Sequence, residues 1–328
     1  MKEILHRLFE HKNLNREEAK RVLVEISGGK HNISQVAAFM TVYCMRSITV
    51  EELSGFRDAM LELCVSVDLS EYGGLDIVGT GGDGKNTFNI STLTSFVVAG
   101  AGYKVTKHGN YGVSSVSGSS NVLEKLGYTF TNEADRLKRD LDQAGICFLH
   151  APLFHPSMKN VGPIRKQLGV RTFFNLLGPL ANPSFPKNQF LGVLNLELAR
   201  LYAYINQQQA INYAIVHALD GYDEISLTGP FKIYSTTGEA IYQPADLGLG
   251  VVNASSIHGG DTIDDAAALF RRILEGEGTN EQEEVIIANA AMAIRLLEKE
   301  KSIEDCVAIA AESLRAGKAL EVLKKLVA

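Results

Sequence analysis

Gly79, Gly81, Gly82 and Gly84 fall within six residues, behind the short apolar run at 75–78 and ahead of a hydroxyl-rich helix start at Asn89, Ser91 and Thr92. A strand, glycine loop and helix in that order bring backbone N–H groups around an anion without Cβ interference. The unpaired amides and dipole of the helix add to the attraction. The chemistry this suits is the holding of a phosphorylated small molecule. Gly79, Gly81 and Gly84 also satisfy the G-x-G-x-x-G spacing of dinucleotide folds, but residues 93–107 contain no carboxylate to hold a ribose diol. That disfavours a nicotinamide cofactor.

Three further clusters could do chemistry. Lys107-His-Gly-Asn-Tyr-Gly-Val-Ser-Ser115, running on to Ser119, follows a strand and combines cations, amides and hydroxyls. Such a lining suits phosphate and pyrophosphate oxygens, with a ligand-free Ser/Gly loop as the plainer alternative. Asp220-Gly-Tyr-Asp-Glu224 places adjacent carboxylates at a strand boundary. This arrangement suits Mg²⁺, a hard cation that takes one or two carboxylates beside substrate phosphates, or is simply a solvated acidic turn. Arg165 lies in a stretch, 154–183, where Pro and Gly interrupt helical pattern. Local rule-breaking of this kind often marks function, and Arg165 is suited either to a substrate carboxylate or to a surface ion pair.

The elements that must position these groups fall into two patterns. Residues 1–66 carry helical periodicity, with capping candidates Asn15, Ser34 and Thr49, the last in a capping box with Glu52. Its apolar stripe of Val36, Phe39, Met40, Tyr43 and Cys44 reads as core or subunit interface. From residue 75, apolar runs at 75–78, 104–106, 146–149, 189–194 and 213–216 alternate with helical stretches near 92–102, 117–126, 134–144 and 197–209. Alternation predicts an α/β fold with a mainly parallel sheet and ligands at the carboxyl ends of its strands. Two more strands, at 224–227 and 231–235, suggest an antiparallel addition. After residue 262 the pattern is helical, with capping boxes predicted at Thr262 with Asp265 and at Asn280 with Glu283.

Composition bounds the rest. The chain has 328 residues, 45% hydrophobic, enough for about two domains. A formal charge of −6, from 32 Lys and Arg against 38 Asp and Glu, argues against nucleic acid or an anionic membrane as partner. Cys44, Cys64, Cys147 and Cys306 show no C-x-x-C pairing and read as reduced core thiols. The charged, amphipathic N-terminus is no signal sequence and no apolar run reaches membrane-spanning length, so a cytoplasmic location is expected.

Gly-Thr-Gly-Gly-Asp-Gly followed by Thr-Phe-Asn-Ile-Ser-Thr, then Lys-His-Gly-Asn, His-Pro-Ser-Met-Lys, Arg-Thr-Phe-Phe-Asn-Leu-Leu-Gly-Pro-Leu and Asp-Glu, closely resembles the anthranilate phosphoribosyltransferase family of tryptophan biosynthesis over nearly the whole chain. The resemblance implies a small N-terminal helical domain, 1–68 joined by part of 158–182, and a larger α/β domain, 69–328. It further implies Mg²⁺ dependence and a homodimer formed through the helical domains. Phosphoribosyl pyrophosphate would then contact Gly79, Gly82, Asp83, Thr87, Asn89, Ile90, Ser91, Thr92, Lys107 and Ser119, under a loop of Lys107, His108, Gly109, Asn110, Tyr111, Gly112, Val113, Ser114 and Ser115. Ser91, Asp223 and Glu224 would hold the metal. Anthranilate would meet Gly79, Asn110 and Arg165, with His108, Gly178 and Pro179 nearby. The implied catalytic residues are Lys107, His108, Asp223 and Glu224. Tyr111, Val116 and Ser120-Asn121 stand where Arg, Lys and Ala-Asp are common in the family. Two other functions share parts of this pattern: a pyrimidine nucleoside phosphorylase, and a family-related nucleic-acid binder.

Overall fold

Strand β1 (Leu75–Gly79) is the pivot of the larger of two units. The structure, a computed structural model, describes residues 1–112 and 116–328. One unit comprises Met1–Val67 with Ala151–Pro183, the other Asp68–His150 with Ser184–Ala328.

In the larger unit, seven strands form one sheet among the described residues: β1, β2 (Val105–Gly109), β3 (Ile146–His150), β4 (Asn188–Gly192), β5 (Asn212–Ala218), β6 (Phe231–Ser235) and β7 (Gly238–Tyr242). Their order is β3-β2-β1-β4-β5-β6-β7, parallel as far as β5 and antiparallel from there. The first five strands are short and almost wholly buried, as helices on both faces of a parallel sheet require. Helix Ile90–Gly100 joins β1 to β2 and packs against helix Asn280–Leu297, which also lies against β4 and β5. Strand order reverses between β1 and β4, so their carboxyl ends open a crevice there, the place where open α/β sheets bind ligands. Gly79 and Gly192 are register partners at the lip of that crevice.

The helical unit is built from helices Lys2–Phe9, Arg16–Ser27, Ile33–Met45 and Val50–Glu62, together with the short turns of 151–183. Its core is aromatic: Phe173 stacks on Phe56 at 4.4 Å, and Phe39 and Tyr43 meet both rings edge-on. Each such ring pair contributes about 0.5–1.5 kcal/mol beyond area burial. His155 and Asn160 tie the returning segment down through the Ala181 and Ser27 carbonyls.

Several expectations need correction. Residues 224–227 form no strand; Leu227 sits at φ +56 and the segment takes its hydrogen bonds from a helix side chain. The partner of β6 beyond β5 is instead β7, across the turn at Thr236 and Thr237. Lys107 and His108 lie within β2 rather than in the loop after it. Helix Ile33–Met45 is capped by Asn32, not Ser34, because the Asn32 carboxamide already accepts from Gln35 N–H. Helix Asn280–Leu297 is capped by Thr279 with Gln282, one residue before the expected box. Cys44 is exposed rather than core.

Candidate functional site

Three glycines carry the loop after β1 through conformations that other residues rarely adopt, Gly81 at φ +62, Gly82 at +76 and Gly84 at +74. A different constraint acts at Gly79. A Cβ there would stand 2.7 Å from Asp223 Oδ2, and one at Gly192 would collide with the Asp223 carbonyl. The two glycines therefore let the chain after β5 close onto the ends of β1 and β4. Asp223 Oδ2 accepts from Gly81 N–H at 2.6 Å, and Glu224 Oε1 accepts from Ser91 N–H, in the first turn of helix Ile90–Gly100, at 2.9 Å. Glycine loop, helix start and acidic pair thus form one constellation, lined by Gly79, Ser91, Thr94, Gly192, Asp223 and Glu224.

Lys107 enters from β2. It is 1% exposed and donates from Nζ to the Ile77 carbonyl of β1. Burial pulls its pKa down to about 8, against the opposing pull of Asp76 and Glu224. The carboxyls respond in the opposite direction. Burial, then repulsion from Asp83, pushes Asp223 up to about 7, and burial with Asp223 beside it holds Glu224 well above the usual range. Asp76 and Glu224 act on the one buried ammonium while Asp83 and Asp223 crowd Glu224, a surplus of negative charge that a cation would relieve.

The donor set fits a hard cation. Each carboxylate of the pair uses one oxygen to accept a backbone N–H, and the Ser91 hydroxyl lies on the same helix turn. Among the described residues no group of three His, Cys, Asp or Glu could cage a metal alone. Two carboxylates completed by substrate phosphates is how Mg²⁺ is commonly held.

Around this centre, Asp83 accepts from Lys85 N–H at 3.0 Å, Asn89 donates to the Ser117 carbonyl at 3.2 Å, and Thr92 and Ile90 are buried in the helix start. Thr87 is half-buried and bridges to His258. Gly109 ends β2 against Ser119, whose Oγ a Cβ would meet at 2.4 Å. His108 is buried, with its backbone N–H on Asp76 Oδ1 at 3.1 Å. Asn110, Tyr111 and Gly112 are exposed; Val113, Ser114 and Ser115 lie outside the described residues. The residues that differ from the family pattern are knit into the loop's base. Asn121 Oδ1 accepts from Gly112 and Gly118 N–H, Ser120 Oγ meets His150 Nδ1 at 2.9 Å, and the Tyr111 ring packs edge-on to His150. Val116 is exposed.

Arg165, Gly178 and Pro179 belong to the helical unit. The Arg165 guanidinium sits 5.3 Å from the Phe174 ring and 3.3 Å from Asn175 Oδ1, with its pKa lowered by burial. Among the described residues no carboxylate pairs with it, so an internal ion pair does not explain it.

Sequence reading missed three contributors. Segment 257–260 straps the glycine loop: Phe88 N–H donates to the Ile257 carbonyl, Gly259 N–H to the Asn86 carbonyl, and Asn86 Nδ2 to the Gly260 carbonyl. Asp76, buried on β1, supports β2 beneath Lys107 and His108. Asn289 holds the chain beyond Glu224; its signal was a lone carboxamide in the alanine-rich stretch 285–296.

Residues 71–320 match the family model "Glycosyl transferase family, a/b domain", and residues 2–64 match "Glycosyl transferase family, helical bundle domain". The chain is 59% identical over 326 residues to the anthranilate phosphoribosyltransferase of Flavobacterium johnsoniae, covering 99% of this chain and 98% of the relative. Among solved structures, that of anthranilate phosphoribosyltransferase from Thermus thermophilus superposes with a TM-score of 0.91 at 33% identity, covering 98% of each chain. The Saccharomyces cerevisiae enzyme in complex with PRPP and Mg gives 0.90 at 29% identity, covering 98% of this chain and 95% of that one.

Proposed function

The chain belongs to the anthranilate phosphoribosyltransferases, within the glycosyl transferase family, and we propose that the crevice between β1 and β4 is where it binds phosphoribosyl pyrophosphate with Mg²⁺. The activity is transfer of the 5-phosphoribosyl group from phosphoribosyl pyrophosphate to the amine of anthranilate, giving N-(5-phosphoribosyl)anthranilate and pyrophosphate, in tryptophan biosynthesis. The nucleoside phosphorylase and nucleic-acid readings are not favoured. One observation supports the placement most: a glycine nest, a helix N-terminus, a buried lysine and an acidic pair with raised pKa values converge at the sheet's switch point.

On this reading the amides of Gly79, Gly82 and Asp83, with Thr87, Asn89, Ile90, Ser91, Thr92 and Ser119, hold the phosphoribosyl pyrophosphate oxygens. Ser91, Asp223 and Glu224 hold Mg²⁺, which when bound offsets negative charge on the departing pyrophosphate. Lys107 supplies fixed positive charge beside them, and an anion in the crevice raises its pKa and keeps it protonated. The anthranilate amine, neutral at pH 7, forms the bond to ribose C1 as the C1–O bond breaks onto pyrophosphate, and the resulting acidic arylammonium then loses its proton to water. Positioning and electrostatics thus carry most of the rate, with no strong base required. Asn110, Tyr111 and Gly112, exposed beyond the end of β2, cover the site above His108 and Gly109, and Gly178 and Pro179 accompany Arg165 at the anthranilate subsite. Fluorescence-monitored anthranilate consumption tests this: turnover is expected only with both phosphoribosyl pyrophosphate and Mg²⁺. Equal turnover in chelator would remove the metal from the proposal.

Arg165 reads the anthranilate carboxylate, supported by a burial-stressed guanidinium that has no carboxylate of its own among the described residues. Loss of a charge-assisted hydrogen bond costs about 1.5–3 kcal/mol, so Arg165→Ala lowers kcat/KM for anthranilate roughly 10- to 150-fold and leaves phosphoribosyl pyrophosphate nearly untouched. Lysine at 165 recovers only part, having charge without the fork. An equal penalty on an arylamine lacking the carboxylate would make Arg165 structural.

The helical unit leaves Phe9, Ile33 and Met45 exposed, Met45 at 83%, which supports a homodimer through this unit; sedimentation at the mass of one chain would remove it. No described helix is long and apolar enough to cross a membrane. Phosphorylated substrates support a cytoplasmic location.

A further inference from the structure

Helix Asn280–Leu297 is among the most deeply buried in the molecule, and Ala288, Ala290, Ala291 and Ala293 on it are fully covered. Asn289, 2% exposed in their midst, is costly there, since a carboxamide buried among alanines must find partners for both of its ends. It finds them on a single residue. Asn289 Oδ1 accepts from Ile225 N–H at 3.1 Å, while Nδ2 donates to the Ile225 carbonyl at 2.8 Å and to the Val285 carbonyl of its own helix at 2.8 Å.

Ile225 directly follows Asp223 and Glu224, in a buried segment that belongs to no sheet ladder. One side chain from 64 residues away thus supplies the pair of hydrogen bonds that a neighbouring strand would otherwise provide. Both peptides flanking the Ile225 Cα are held, which fixes where Glu224 leaves the backbone. Asn289 also lines the cavity into which Gly79, Ser91, Asp223 and Glu224 project. We infer that Asn289 is a positioning residue for the Asp223–Glu224 pair, setting the carboxylates for the Mg²⁺–pyrophosphate group without touching it. This rests on the reading of that pair as the metal-holding residues.

The full chain is titrated calorimetrically with phosphoribosyl pyrophosphate, with and without Mg²⁺, and the ratio of the two affinities is compared between proteins. Partners that orient metal ligands are worth about 10- to 100-fold in metal affinity. Asn289→Leu, which keeps the branched outline and heavy-atom count but removes the side chain's hydrogen bonds, is therefore expected to shrink the Mg²⁺-dependent gain by about that factor, while the Mg²⁺-free affinity and the KM for anthranilate change less than about 3-fold. Asn289→Ser, able to serve one of the two Ile225 groups, shows the same split in smaller measure and stands in if the leucine variant does not fold. Ile294→Ala, fully buried on the same helix, lowers Tm with the ratio intact. A wild-type ratio in the Asn289 variants, with only Tm lowered, makes the residue purely structural and overturns the inference. A ratio near one in the wild type overturns the metal assignment itself, and the inference with it.

Discussion

Asp223→Asn combined with Glu224→Gln should lower kcat by about 1,000-fold or more at saturating Mg²⁺ and yet stabilise the metal-free protein at neutral pH. The first effect follows from losing the cation that offsets charge on departing pyrophosphate, a contribution of several kcal/mol. The second follows from burial. Asp223, lifted to about 7 by burial and by Asp83, and Glu224, lifted by burial and by Asp223, both bind protons in the folded chain that the unfolded chain has already released. Between about pH 4, the ordinary carboxylate value, and about pH 7, folding therefore takes up protons, and stability falls as pH rises through that window. For Asp223 alone the fall approaches about 4 kcal/mol at most, and above its folded pKa the loss is complete. The neutral amides remove that slope. Thermal melts in chelator should show wild type losing Tm, relative to the double variant, from about pH 4.5 to 7, with Mg²⁺ restoring the wild type. Near-wild-type turnover of the variant at limiting Mg²⁺ would detach the pair from the metal, and parallel melts would show that the carboxyls are not strained by burial.

Gly79→Val should weaken phosphoribosyl pyrophosphate binding by at least about 100-fold. Its Cβ would arrive 2.7 Å from Asp223 Oδ2, the oxygen that accepts from Gly81 N–H. Either Asp223 withdraws and the Gly81 bond is lost, or β1 shifts and the nest opens. Each charge-assisted hydrogen bond is worth about 1.5–3 kcal/mol, and the branched side chain fills the cradle as well, so two such losses together give at least that factor. Anthranilate binding should fall much less, because its carboxylate is assigned to Arg165. Gly192→Ala serves as a companion, since its Cβ meets the same residue from β4, at the Asp223 carbonyl. It should lower kcat in the manner of the Asp223→Asn, Glu224→Gln variant without entering the anion nest. Calorimetric affinity for phosphoribosyl pyrophosphate unchanged by Gly79→Val would remove the loop from the binding site.

What the sequence determined by itself was whatever is decided over a few residues. The glycine loop and the helix start after it follow from backbone permissiveness and unpaired amides, which are properties of neighbours in the chain. The caps at Asn15, Thr49 and Thr262 were legible for the same reason. Alternating apolar runs announced the parallel sheet, and ordered motifs announced the family. Only tertiary structure decided the rest, because partners there are chosen by chain closure and burial rather than by propensity. Lys107 read as a loop cation and proved to be a buried strand residue, its charge made costly by the sheet around it. The alternating stretch at 224–227 had the pattern of a strand, but in the fold Asn289 takes both backbone groups of Ile225 and the segment joins no ladder. Asp223 and Glu224 are two ordinary acids in the sequence. Their raised pKa values exist only because Gly79 and Gly192 admit them to the dry end of the β1–β4 crevice, where desolvation outweighs the hydrogen bonds that Gly81 and Ser91 provide.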